Sequence, residues 1–87
     1  MDLLHAFGLV LKSLRKEKSL SQEELAYRSG LDRTYISLLE RGLRNPTITT
    51  LFSITNCLNY ETNQLIKDIE LVLTQKSGSD NNETRKV

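Results

Sequence analysis

Ala26 and Gly30, four residues apart between two short amphipathic patterns, constrain this chain more than any other pair of residues. Two helices cross closely only where a small side chain lies at the contact. A turn that needs positive φ is open at little cost only to glycine. The flanking residues agree with that geometry. Ser21 and Glu24 form the S-x-x-E pattern of a capping box, in which each side chain satisfies the other's backbone N–H. A helix is therefore predicted over Gln22–Ser29, with Leu25 and Ala26 turned inward and Gly30 ending it in the left-handed conformation. Leu31 follows as the apolar residue of the turn, and Asp32 is the N-cap candidate for the next helix. That helix is predicted from Arg33 to about Arg41, burying Ile36 and Leu39 and stopping at Gly42. Asn45-Pro46 then turns the chain, because the residue before proline is pushed out of the helical region.

The rest of the chain supplies support for this pair. Leu3 to Lys18 reads as a first helix, with Phe7, Val10, Leu11 and Leu14 on one stripe and Leu3 and Leu4 extending it. Thr47 is placed to cap a fourth helix with the stripe Leu51, Ile54, Leu58, flanked by Ile48 and Phe52 and ended by Asn59. Thr62 is placed to cap a fifth, roughly Asn63 to Gln75. In it Leu65, Ile66, Ile69, Val72 and Leu73 fall within an arc of about 120° and Leu71 lies outside. The prediction is an all-α fold of five helices over 1–76, followed by a disordered polar tail over 77–87.

Two helices in this relation, the second free to face outward, make a helix-turn-helix, and its outward face decides the function. With Ile36 and Leu39 buried, Arg33, Thr34, Ser37, Leu38 and Arg41 are left over, and Tyr35 lies between the faces. Arginine can donate two parallel hydrogen bonds to O6 and N7 of guanine, while Thr34 and Ser37 can bond base edges. Gln22, at a helix N-terminus that favours anions, is placed for a phosphate, as are Tyr35, Arg41, Arg44 and Asn45. Arg44 and Asn45 would serve equally as a solvated turn. The formal charge of the chain is only +1, yet eight bases face five acids from Lys12 to Arg44, whereas two bases face three acids from Asn45 to Lys76. The positive surplus thus surrounds the central pair.

Catalysis finds no support. The chain has one histidine and one cysteine, so neither a disulfide nor a metal site can be assembled from them, and no nucleophile–base pattern or phosphate-binding glycine loop is present. No catalytic residue, metal or cofactor is expected. His5 reads as a surface residue and Cys57 as a small residue flanking the core. No apolar run approaches the roughly 20 residues needed to span a bilayer, and a cytoplasmic location is expected.

The run LDRTYISLLERGLRNPT, the opening SQEELA and the LRKEK end of the first helix resemble the lambda-repressor-like, or XRE, family of bacterial and phage regulators. Within it they resemble the controller proteins of restriction-modification systems. The resemblance implies a five-helix fold, base reading by the start of the third helix (Arg33 and Thr34 above all), and a partly buried ion pair between Arg15 and Glu40. Leu38 stands where the resembling controllers carry a small residue, and either touches a thymine methyl or crowds the groove. The outward face of the third helix and the surplus apolar area on the fourth and fifth point to a homodimer on a palindromic DNA operator, and the resemblance further implies regulation of its own gene and an endonuclease gene. It would activate from an upstream site, with RNA polymerase as a further partner, and repress when a second dimer fills the promoter. Phe52, Ile66 and Leu73 are the residues left for a dimer interface. A phage-type repressor is the alternative within the family. In another class, an antitoxin or interaction module would need an apolar arm, and the tail after Lys76 is polar up to Val87.

Overall fold

The structure, a computed structural model, describes residues 1–76, and the expectation of a disordered tail over 77–87 lies outside the described residues. Five helices follow in order: α1 (Leu3–Glu17), α2 (Gln22–Ser29), α3 (Arg33–Glu40), α4 (Ile48–Cys57) and α5 (Thr62–Lys76). Helix α1 packs against α3 on one flank and α5 on the other. Helix α2 crosses α3 and reaches α4, and α4 closes onto α5. The core lies where these contacts meet. Its centre is Ala6, Leu11, Leu25, Ile36, Leu39 and Ile54, each at most 1% exposed. Among the described residues no helix is long and apolar enough to cross a membrane.

The starts of the helices follow from side-chain caps, with two exceptions. Asp2 caps α1, accepting from the His5 backbone N–H at 2.9 Å, and this hydrogen bond holds its carboxyl below the ordinary range. Ser21 and Glu24 form the predicted capping box, both bonds at 3.0 Å. Thr47 accepts from the Thr50 N–H at 3.0 Å. Asp32, by contrast, has the extended backbone of an N-cap but makes no side-chain cap bond. Thr62 is the first residue of α5 rather than its cap. Its hydroxyl instead lies 2.7 Å from that of Thr55, a buried polar residue of α4 that the apolar stripe does not mark.

The ends of the first four helices share one device. After α1, α2, α3 and α4 the chain enters the left-handed region at Ser19 (φ 59), Gly30 (φ 71), Gly42 (φ 74) and Asn59 (φ 53). The residue after each donates back into its helix: Leu20 to Arg15, Leu31 to Ala26, Leu43 to Leu38 and Tyr60 to Thr55, at 2.8–3.1 Å. These are Schellman ends. Gly30, Gly42 and Asn59 are residues that tolerate this conformation, whereas Ser19 bears a Cβ penalty. Ser19→Gly is therefore expected to raise stability by about 0.5–1 kcal/mol, read as a higher urea midpoint at unchanged slope. A lower midpoint would contradict it.

Helices α4 and α5 leave apolar surface uncovered. Leu65 and Ile69 are buried, but Ile66 is 43% exposed, Phe52 56% and Ile48 70%. Leu73 is partly buried against the core, as is Cys57, whose thiol is pushed up by burial. The Tyr60 hydroxyl donates to the Asp68 carboxylate, which holds the phenol up to about 12 and ties the α4–α5 turn to the middle of α5.

Candidate nucleic-acid interface

The placement of α3 is decided on its inner side. Ile36 and Leu39 are fully buried and Glu40 nearly so. Helix α1 approaches α3 so closely at Gly8 that a Cβ there would lie 2.4 Å from the Glu40 carbonyl oxygen and 2.7 Å from that of Leu39. Only glycine fits at that crossing. A glycine inside a helix costs about 1 kcal/mol relative to alanine, and that cost, at a position within the apolar pattern of α1, was the available signal. At the far end, a Cβ on Gly42 would meet the His5 ring at 2.8 Å, so α1 seats the loop after α3 as well.

A second tie is electrostatic. Arg15 donates from Nε to Glu40 Oε2 at 2.6 Å and from Nη2 to Oε1 at 3.0 Å, with the two side chains 9% and 2% exposed. These hydrogen bonds hold the guanidinium pKa above its ordinary value, despite the opposing effect of burial. Arg15 Nη1 also donates to the Leu20 carbonyl at 2.8 Å, immediately before the Ser21 cap. Gln22 donates from Nε2 to Glu40 Oε1 at 3.0 Å. One carboxylate thereby joins α1, the start of α2 and the end of α3.

The outer side of α3 is what remains. At 100° per residue, Arg33, Ser37, Arg41, Thr34 and Leu38 fall within an arc of about 140°, turned away from Ile36 and Leu39, with Glu40 at its edge beside Arg33. Arg33, Thr34 and Arg41 are exposed, while Ser37 and Leu38 are half-buried. Tyr35 leans on the core with part of its surface free. Arg44 and Asn45 are exposed in the loop that follows. Gln22 is at the start of α2 as expected, but its amide is turned inward to Glu40, an orientation invisible in the sequence. Leu38 occupies the position of the Schellman end that accepts from the Leu43 N–H at 2.9 Å. An apolar pair at these two positions commonly closes such an end, which gives Leu38 a structural reason to be apolar.

The arrangement has no catalytic geometry, and no cluster of three or more metal-ligating side chains occurs among the described residues. It offers a helix whose outward residues, Leu38 apart, are hydrogen-bond donors and cations, backed by the buried hydrogen bonds of Glu40.

Known proteins share this arrangement. The HTH_3 family, described as helix-turn-helix, matches residues 11–65. The control protein C.MunI of a Mycoplasma species is 46% identical over 70 residues, spanning 79% of this chain and 95% of that one. The crystal structure of the restriction-modification controller protein C.AhdI from Aeromonas hydrophila superposes with a TM-score of 0.70 at 44% identity, over 71% of this chain and 94% of that one. The clp gene regulator ClgR from Corynebacterium glutamicum superposes with a TM-score of 0.85 at 26% identity, over 88% and 82%.

Proposed function

From the premise that this chain belongs to the HTH_3 helix-turn-helix family of DNA-binding regulators, we propose that it is a homodimeric controller of a restriction-modification system. The observation that carries the proposal is the outward face of α3, from which Arg33, Thr34, Ser37 and Leu38 would meet the base edges. Arg33 would pair with guanine through its guanidinium, at the end of α3 that enters the major groove first. Gln22, Tyr35, Arg41, Arg44 and Asn45 would seat the unit on phosphates to either side.

The dimer is supported by the uncovered apolar surface of α4 and α5. Phe52 and Ile66 are half-exposed, and Leu73 lies on the same side of α5 as Ile66. A two-fold contact there would present two copies of α3 about 34 Å apart, one DNA turn. Such a dimer reads a palindromic operator, and doubling so few base-reading side chains lengthens the recognised site. Regulation of its own gene and an endonuclease gene, with contact to RNA polymerase, is the reading carried by likeness to the controllers.

Selection from random DNA tests the proposal. The expected product is a pair of inverted half-sites centred about one turn apart. Arg33→Ala should lower affinity by about 1–3 kcal/mol and relax preference at one base pair of each half-site. A single asymmetric site would rule against the dimer, and an unchanged base preference would remove Arg33 from the reading set.

A further inference from the structure

We infer that Glu40 is a positioning residue for the DNA interface, acting through the Gln22 side chain and the N-terminus of α2. The inference rests on the proposed phosphate contact of Gln22 and extends it. Glu40 has no exposed surface to offer DNA: its side chain is 2% exposed and faces inward from α3. Both of its oxygens are engaged, Oε2 by Arg15 and Oε1 by Arg15 and Gln22 together. The bond to Gln22 spans 18 residues of sequence and links the first turn of α2 to the last residue of α3. Arg15 reinforces it from below, holding the Leu20 carbonyl one residue before the cap of α2.

A carboxamide on a surface helix is ordinarily free to rotate, and ordering it on binding costs rotamer entropy. Here one of its donors is already held by a buried carboxylate. The Gln22 side chain is thereby set before DNA arrives, with its second N–H left for a phosphate oxygen. The charge of Glu40 would oppose a phosphate nearby, and Arg15 offsets it across a doubly hydrogen-bonded pair. The phosphate seat and the reading helix then move as one body.

The test is a cycle on operator affinity, with stability measured separately on every chain. Gln22→Ala is made in the native chain and in a chain carrying Arg15→Leu and Glu40→Leu, a paired apolar replacement of the kind folds tolerate. In the native chain Gln22→Ala is expected to weaken binding about ten-fold, as for loss of a hydrogen bond to a charged group. In the paired chain it should change binding less than about two-fold, because the anchor that set the side chain is gone. An equal loss in both chains would overturn the positioning role while leaving Gln22 as a phosphate contact. No loss in either would overturn both, and the Arg33 base preference would still be judged on its own. If the paired chain does not fold, NMR of the native chain decides instead. A nuclear Overhauser contact between the Gln22 amide protons and the Glu40 side chain, present in the free protein and kept on operator DNA, supports the inference. Its loss in the complex overturns it.

Discussion

Arg15→Ala is expected to destabilise the protein by about 3–5 kcal/mol, the cost of leaving a buried carboxylate without its counter-charge. Glu40 would lose the donors at 2.6 and 3.0 Å and keep only Gln22, while the Leu20 carbonyl would lose its partner. For a chain of this size such a loss is a large part of the total stability. Denaturant unfolding measures it directly. The converse variant sharpens the result: Arg15→Leu with Glu40→Leu should recover most of the loss, because the isolated charge, not the absent attraction, carries the penalty. A loss under about 1 kcal/mol for Arg15→Ala would mean that water reaches Glu40 and that the pair behaves as a surface one.

Gly8→Ala is the second large effect, and its sign runs against helix propensity. Alanine inside a helix is favoured over glycine by about 1 kcal/mol. At Gly8, however, the added carbon would stand 2.4 and 2.7 Å from two carbonyl oxygens of α3. Those atoms are backbone and cannot rotate aside, so α1 and α3 must separate and loosen the packing around Ile36 and Leu39. A net destabilisation of about 2 kcal/mol or more is expected, within the range for overpacking. Weaker operator binding should accompany it, since α3 shifts with the contact. Unfolding curves and operator titration of the same sample separate the two effects. A stability equal to or above that of the native chain would show that the crossing accommodates a methyl group.

The two residues behind these predictions differ in how visible they were. The helix-turn-helix was legible because its signals are local: the Ser21–Glu24 box, the small Ala26, the left-handed Gly30 and the inward Ile36 and Leu39 all lie within 19 residues. The Arg15–Glu40 pair spans 25 residues, and no spacing rule reaches that far, so only resemblance to a family suggested it. Gly8 stood in plain view as a glycine inside a helix, yet what it meets depends on where α1 crosses α3. Asp32 and Thr62 show the opposite error. Each has a residue type suited to capping, but Asp32 makes no cap bond and Thr62 turns to Thr55.

By itself, then, the amino-acid sequence determined the five helices, the left-handed turn at Gly30 between α2 and α3, and the burial of Ile36 and Leu39 that turns the rest of α3 outward. Those properties follow from periodicity and caps, which act over three or four residues. The tertiary structure alone decided how near α1 comes to α3, which side chain Glu40 holds, and that Gln22 is turned inward at the edge of the proposed interface. Such contacts join residues far apart in the chain, and they exist only once the helices have packed.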